Sequence, residues 1–530
     1  LTIILLSGFL LGKFPVELSP NEMTKPVSFT AGSETEFLLN VTASANTNWA
    51  LSGSESATLV LAIDGEWNNY NQDIVLYAGQ SPHLYYTSLG PISEGTHFIE
   101  FKFDDAKSSE GADLITIESI ELIDIATIDV DDDAMIHSPI LYGRDLLSWN
   151  ESTHTDIPLI MWHDINMEGQ NKRITYSIIF SNEDSRVGVG LADLMYSYGR
   201  TTDIEWMYEV LLSPSGNILN EIFQGASHIT TDFEGNKIGR HPILKNATLN
   251  CNFTDVGTSD YKFFLSPIYT ANDDYTRQIL MDENPWTYRI MAEELINEGR
   301  YEEPADPESV IISDVRNYIY IEYKGSTSGQ NISLEIAADF IGSCNAYVHH
   351  HNYPEFSYEY GGGTHRTSIE LPESFDPSQI HELGFISDGN DEYILTISSI
   401  SRLFYLDEDY TPTDITIDFV PFNISSADPE IWLEINQNVQ NLDCFGFSDG
   451  TAQCDDCGVC DGGNADMDNC GVCFGENQNL DCNGTCFGGA SEDACGICDE
   501  NSENDNSTCS GCTDINAENF DENAIFDDSS

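Results

Sequence analysis

Apolar and polar residues alternate in short runs along the first part of the chain. The runs are ATLVLAID (57–64), DIVLYAG (73–79), HLYYTSLG (83–90), THFIEFKFD (96–104) and LITIESIELID (114–124). Gly, Pro, Asn and Ser interrupt them about every eight to twelve residues, and no helical period competes. A period of two sends alternate side chains to opposite faces of a strand, so residues 13–126 are expected to form an antiparallel β-sandwich. Residues 308–420 repeat the pattern and close on YILTISSISRLFYL (393–406). Aligning Ile117-Glu118-Ser119-Ile120 with Ile397-Ser398-Ser399-Ile400 keeps the in/out alternation on both sides, and the two stretches read as related jelly-roll domains.

An acidic linker, DVDDDA (129–134), leads into a β-rich middle region, 135–300. Its runs include DIPLIMWHD, RITYSIIFSNED and TTDIEWMYEVLL. Near its end, ENPWTYRIMAEELINEG (283–299) carries the one convincing helical period of the chain, and Glu298-Gly299 suits a helix end. Residues 421–443 read as a linker, 444–510 as an irregular stalk and 511–530 as a short terminal module. The expected class is therefore mainly β: tandem sandwiches, a middle domain with one C-terminal helix, and a stalk too polar to bury a core.

The chain starts LTIILLSGFLLG before Lys13. Twelve almost wholly apolar residues fall short of the ~18 that span a bilayer but fit the apolar part of a secretory signal peptide, whose start would then be missing. No other stretch could cross a membrane. Charge narrows the partners further. Of 530 residues, 90 are Asp or Glu and 20 are Lys or Arg, a net of −70. Such a surface repels phosphate backbones, which makes nucleic acid and anionic membranes poor candidate partners, and it suits divalent cations such as calcium, a saline medium, or both. No cofactor is required. Sequons at Asn40, Asn150, Asn246, Asn252, Asn331, Asn423, Asn483 and Asn506 are weak support for glycosylation.

Twelve of the 14 cysteines lie between Cys444 and Cys512. Short units recur: Cys457-Gly-Val-Cys460, Cys470-Gly-Val-Cys473, Cys482-Asn-Gly-Thr-Cys486 and Cys495-Gly-Ile-Cys498. A zinc site needs thiolates, which cationic neighbours favour, yet no Lys, Arg or His follows Arg402 and carboxylates crowd the sulfurs. Disulfides in an oxidising compartment are expected at Cys444, Cys454, Cys457, Cys460, Cys470, Cys473, Cys482, Cys486, Cys495, Cys498 and Cys509, with connectivity open. Cys251 and Cys344 either pair across domains or sit buried as small apolar residues.

This segment resembles the Cys-Gly arrays of form D-x-C-G-V-C-x-G-x-N/D found in large secreted proteins of marine bacteria and some microbial eukaryotes. The resemblance implies an extracellular spacer. GCTDINAENFDENAIFDD (511–528) is similar to a short C-terminal module of such proteins that normally closes on another cysteine; the sequence stops at Ser530 first, so Cys512 is expected to lack its partner. Asp514, Asp521 and Asp527, with Asp528 and Asn519, are candidate calcium ligands.

The two sandwiches resemble galactose-binding-like and carbohydrate-binding modules, with GTHFIEFKFD similar to a strand of that group. The resemblance implies sugar binding through an aromatic ring stacked on a pyranose, with amides reaching its hydroxyls. Trp67, Asn68, Asn69, Tyr70 and Gln72, in GEWNNYNQD, are the best candidates, with Tyr85 and Tyr86 further on. In the second sandwich Tyr347, Tyr353, Phe356, Tyr358 and Tyr360 are offered, and His349 and His351, alternating on one strand face, could share a metal.

In the middle region Asp203 and Glu205 stand two apart on a predicted strand, so both carboxylates share a face. Arg200 precedes them, and His228 and His241 fall in later turn-like segments. Paired carboxylates with histidines suit metal or acid/base chemistry, and these four are the candidate catalytic or metal-binding set. The order D-x-E, H, H-P-φ resembles the Vps62-related family. No serine nucleophile elbow, P-loop, dinucleotide fingerprint or HExxH motif is present. The sequence therefore reads first as a secreted or surface binding protein that recognises glycans, without catalysis. An extracellular polysaccharide-active enzyme is the alternative, and a structural surface-layer component the third reading.

Overall fold

The structure is a computed structural model. It describes residues 9–10, 12–67, 72–144, 157–183, 190–270, 276–306, 309, 311–327, 332–340, 344, 347–348, 357–358, 363–371, 377–388, 393–435, 443–444, 447, 450–501 and 506–529. The chain is mainly β and divides into two compact units: 1–337, 347–378 and 384–432 form the larger, and 338–346, 379–383 and 433–530 the smaller.

The larger unit begins with a sandwich of two antiparallel sheets. One has the order Phe9–Leu10, Ile115–Asp124, Thr35–Ala45, His83–Ile92, with Val16–Leu18 also against Ile115–Asp124; the other runs Val27–Ala31, Gly95–Phe103, Ala57–Ile63, Gln72–Leu76. Leu39 and Val41 from the first, and Leu61 and Phe101 from the second, are wholly buried in one core. Each such side chain contributes about 1.5–3 kcal/mol by leaving water. Ala57–Ile63 is buried at every position rather than alternately. Its sheet is covered from outside as well: the Lys262 amide donates to Asp73 of the neighbouring strand.

The alignment of Ile117–Ile120 with Ile397–Ile400 holds, for a different reason from simple alternation. Both isoleucines of each quartet face inward although they stand three apart. Glu118 and Ser398 are each skipped in the pairing with the adjacent strand, Thr42/Ala43 in one case and Lys324/Gly325 in the other. A β-bulge at the same place in both strands restores the facing.

The middle region holds a six-stranded sheet in the order Ile229–Asp232, Ile218–Gly225, Ile204–Leu212, Asn171–Phe180, Pro158–Glu168, Tyr269–Thr270. A five-stranded sheet lies in the same unit, built on Ile140–Tyr142 between His241–Asn246 and Lys262–Phe263. The expected helix is Trp286–Glu298, ended by Gly299 in the left-handed conformation that glycine adopts without steric cost. Helices Leu191–Tyr198 and Ile279–Glu283 are too short to register as a sequence period.

From the second repeat the larger unit takes the sheet Gly363–Glu370, Tyr318–Thr327, Ile394–Leu406, Pro412–Asp414. Beneath it lies a buried ionic knot. Arg366 donates to both Asp282 carboxylate oxygens, to Glu322 and to the Tyr288 hydroxyl, and Arg402 reaches the same Asp282 at 2.6 Å. Ser368 and Thr367 cap the end of the short helix by donating to the carbonyls of Met195 and Tyr196.

Glu370, at the end of that strand, makes stability depend on pH. Burial pushes its carboxyl up to about 7 despite the hydrogen bond from the Ser313 amide, and Glu302 adds to the rise. A carboxyl that holds its proton more tightly when folded stabilises most below its unfolded value of about 4.5, and that share is lost as pH rises through about 7. The expected loss between pH 4.5 and 8 is up to about 3 kcal/mol. Urea midpoints across that range should fall in the wild type and fall measurably less in Glu370→Gln.

The smaller unit is a disulfide ladder. Cys444–Cys460, Cys457–Cys473, Cys470–Cys486 and Cys482–Cys498 each span 16 residues, Cys495–Cys509 spans 14, and Cys344–Cys454 spans 110. All eleven expected cysteines are bonded, and Cys344 joins them. No CxxC pair closes on itself: the first cysteine of one repeat meets the last of the next. Cys251 and Cys512 are buried thiols outside any disulfide.

A carboxylate organises each rung. Asp455 accepts from the amides of Cys457 and Val459 with one oxygen and from Asn464 with the other; Asp468 does the same with Cys470, Val472 and Asn477. Asp481 and Asp493 repeat the clasp. These donors hold Asp455, Asp468 and Asp493 below the usual carboxylate range. A Cβ on Gly462, Gly475 or Gly488 would collide with the same carboxylate. The repeat's spacing of Asp to Gly is thus a steric requirement of the clasp.

Candidate functional site

Strand Ile204–Leu212 begins just after Asp203 and carries Glu205; Asp203 and Glu205 are 5% and 7% exposed. The neighbouring strand Ile218–Gly225 brings Gln224, whose amide donates to Glu205 at 2.5 Å. Asn252 approaches Glu205 from the turn before Phe253–Thr254, at 3.4 Å. His228 stands on the turn Ala226–His228 with Nδ1 3.5 Å from Glu205 and 2.6 Å from the Gln224 amide. Ser227 and His228 both have left-handed backbone (φ 59° and 57°), a costly conformation for non-glycine residues that positions the imidazole here.

Burial holds the carboxyls of Asp203, Glu205 and Glu183 above their ordinary range, and for Asp203 the nearby Glu205 adds to it. Opposing this are the buried guanidinium of Arg200, lowered to about 10 by burial and by Arg277, and the Cys251 thiol hydrogen-bonded to Asp203. The Arg200 guanidinium therefore offsets part of the charge of this pair. Among the described residues, Asp203 Oδ2, Gln224 Oε1, Asn252 Oδ1 and Arg200 Nε are buried with no hydrogen-bond partner. Each such atom costs about 1–3 kcal/mol.

His241 does not belong to this group. It lies on strand His241–Asn246 rather than in a turn, wholly buried, with Nδ1 on the Ser138 carbonyl (2.8 Å) and Nε2 on Glu36 (3.1 Å). Both ring nitrogens are committed, so the four-residue metal shell is not formed. Among the described residues, the cluster of three or more close His, Cys, Asp or Glu ligand atoms is Cys344, Cys444 and Cys454. Its sulfurs belong to two adjacent disulfides.

Asp514, Asp521 and Asp527 are not gathered. Each accepts from the amide two residues on, those of Asn516, Asn523 and Ser529, in a separate exposed turn. His349 and His351 lie outside the described residues, as do Tyr353, Phe356 and Tyr360, and the side chains of Tyr347 and Tyr358.

In the first sandwich Trp67 is half-buried in the turn after Ala57–Ile63. Asn68, Asn69 and Tyr70 lie outside the described residues. Gln72 is buried and donates its amide to the Ser88 carbonyl, so its role is internal. Tyr85 is also internal; it packs with Tyr77 and His83 and lines, with Tyr86, Tyr269 and Trp286, a cavity of about 60 Å³. That has room for a few waters, not a pyranose. Three sequon asparagines, Asn40, Asn246 and Asn252, are buried and cannot carry a glycan in this fold.

Sequence reasoning missed Gln224, Asn252, Glu183 and Arg277. Asn252 had been counted only as a sequon, although the polar run Asn250-Cys251-Asn252 between two strands was a signal of its own.

No family model matches the chain, and no curated protein matches it. Among solved structures, part of it is similar to the insecticidal delta-endotoxin Cry8Ea1 of Bacillus thuringiensis (14% identity, TM-score 0.17, 21% of this chain and 19% of that one). The CBM36-1 domain of a multidomain xylanase from the hindgut metagenome of Trinervitermes trinervoides matches at 16% identity and TM-score 0.15, over 22% of this chain and 90% of that domain. The EclA C-terminal domain, a sugar-binding protein, matches at 11% identity and TM-score 0.16, over 21% and 78%. The chain thus spans under a quarter of the endotoxin's length, and likeness this slight assigns neither fold nor function.

Proposed function

We propose that this is a secreted or cell-surface binding protein that takes glycans through its β-sandwich body and is carried on a covalently stapled acidic ladder. The observation that carries the reading is the ladder itself. Six disulfides hold a segment rich in carboxylates, and such bonds persist in oxidising, extracellular surroundings. Among the described residues no helix is long and apolar enough to cross a membrane. The resemblance of the repeat to Cys-Gly arrays of secreted proteins supports the same placement. The calcium expectation gains nothing from the ladder, because backbone amides already occupy the oxygens of Asp455 and Asp468.

A glycan array probed with the full chain tests the reading, with binding to at least one saccharide expected. Trp67→Ala should then weaken binding at the first sandwich by about 1–3 kcal/mol, the range for losing an anchoring aromatic, with the fold intact. Unchanged affinity for every bound glycan would remove that turn from consideration. A polysaccharide-cleaving enzyme is the second reading, favoured by the neighbouring carboxyls of Asp203 and Glu205, which burial holds above their ordinary range. Release of reducing ends from a bound glycan, lost in Asp203→Asn, would establish it.

A further inference from the structure

Cys454 is an addition to the ladder's repeat. It shares its place with Met467 and Leu480: each forms a β-bridge to the cysteine six residues on, which is Cys460, Cys473 and Cys486 in turn. The Asp455 amide donates to the Val459 carbonyl at 3.0 Å, and the Asp461 amide to the Gln453 carbonyl at 2.8 Å. Those flanking bonds make Cys454 and Cys460 a non-hydrogen-bonded antiparallel pair, whose Cα atoms ordinarily stand about 4.5 Å apart. A disulfide spans Cα separations of roughly 4.4–6.8 Å, so the spacing admits a direct bond. Cys460 is instead bonded to Cys444, and Cys454 to Cys344. The Sγ atoms of Cys344, Cys444 and Cys454 nevertheless all lie within 4.8 Å of one another. Among the described residues no other three cysteine sulfurs gather so closely. These four cysteines therefore admit a second complete pairing, Cys344–Cys444 with Cys454–Cys460.

Passage from one pairing to the other needs an external thiolate and no oxidant. Cys454 is exposed, whereas Cys344 and Cys444 are half-buried. A small-molecule thiolate that attacks Cys454 Sγ forms a mixed disulfide there and releases Cys344 as a thiolate. The Cys344 thiolate attacks Cys444 Sγ, which forms Cys344–Cys444 and expels Cys460 as a thiolate. Cys460 then attacks Cys454 Sγ across the β-bridge, closing Cys454–Cys460 and returning the external thiolate. Two disulfides stand at the start and two at the end, so the thiol acts as a catalyst. The pairings brace the ladder differently. At present the Cys444–Cys460 loop encloses both Cys454 and Cys457, which interlocks the attachment at Cys344 with the rungs that follow. In the second pairing Cys454–Cys460 closes a short local loop, and no bridge spans the chain between Cys444 and Cys454.

We propose that Cys344, Cys444, Cys454 and Cys460 form a thiol-triggered switch, which isomerises between these pairings and uncouples the rungs from the Cys344 attachment. The switch depends on the oxidised ladder and not on the glycan reading. The test is bridge mapping of the full chain, kept free of oxygen, after graded exposure to cysteamine and an acid quench. Cysteamine is a cationic thiol, which favours its approach to an acidic surface. Peptides joined by Cys344–Cys444 and by Cys454–Cys460 should appear together, with the two free thiols of the chain unchanged in number. They should form on the order of tenfold faster than any product of Cys470–Cys486, because their sulfurs are already neighbours. Cys460→Ser leaves one thiol among the three close sulfurs. With no thiol added, alkylation should find it spread over Cys344, Cys444 and Cys454, whereas the thiol left by Cys473→Ser should stay on Cys457.

The wild-type arm stands whether or not the variants fold. Cysteamine raised until Cys470–Cys486 opens, with Cys344–Cys454 and Cys444–Cys460 still the only pairings of their cysteines, would overturn the switch. A Cys460→Ser thiol confined to Cys444 in folded protein would overturn it as well. Either result would leave the oxidised ladder and the glycan reading in place.

Discussion

Arg366→Met is expected to destabilise the larger unit by about 3–5 kcal/mol, seen as a lowered urea midpoint with an unchanged denaturant slope. Arg366 is wholly buried beneath the strand sheet of the second repeat. Its guanidinium is shared by Asp282 from one helix, Tyr288 from the next and Glu322 from the adjacent strand, and its face lies on Phe404. Removing it leaves Glu322, among the described residues, with the Thr276 hydroxyl, and leaves Asp282 with Arg402 and the Tyr288 hydroxyl. The cost therefore comes mainly from uncompensated carboxylates. Adding Glu322→Gln to Arg366→Met should accordingly recover part of the loss, whereas Arg402→Met, at a partly exposed position, should cost less than Arg366→Met. Equal losses in all three would show that packing, not charge, sets the cost.

Full reduction is expected to unfold the ladder outright. Among its described residues from Cys444 to Ser529, Ala490 and Cys512 are the buried apolar side chains, so burial offers almost nothing to hold the chain once the bridges open. Closing a loop of about 16 residues is worth roughly 3 kcal/mol through the unfolded state, and successive rungs overlap. The Asp clasps close only local turns and cannot replace them. The paired change Cys470→Ser with Cys486→Ser should cost about 2–4 kcal/mol and open the middle rung. Limited proteolysis checks both: cuts within 444–510 should appear on reduction, and cuts confined to the middle repeats in the double variant. Cleavage provoked by a chelator and not by a reductant would contradict the staple.

The sandwich pattern was legible because half-buried antiparallel strands write their facing into a period of two. The bulges at Glu118 and Ser398 were not, because a skipped residue leaves the composition of a strand unchanged. Ala57–Ile63 hid its second buried face for a related reason: what covers a sheet from outside comes from residues near 262, far along the chain. The ladder's chemistry could be read from the lack of cations beside the cysteines, but its pairing could not. Cys344 stands 110 residues from Cys454, and nothing local marks them as partners. Asp203 and Glu205 were legible as neighbouring carboxylates at the start of a strand. His241 was misplaced because its sequence neighbourhood, Gly-Arg-His-Pro, reads as a turn, whereas its partners Ser138 and Glu36 are distant in sequence. Gln224 and Asn252 went unseen because amides carry no charge pattern to search for.

The central claim, a binding body carried on an oxidised ladder, is tested most directly by mapping the cysteines of unreduced, natively produced protein. Peptide mass mapping should find Cys457–Cys473, Cys470–Cys486 and the other four bridges, with two thiols, Cys251 and Cys512, released for alkylation on denaturation. Bridges closing within each CxxC pair, or reactive ladder thiols accompanied by stoichiometric zinc, would contradict it.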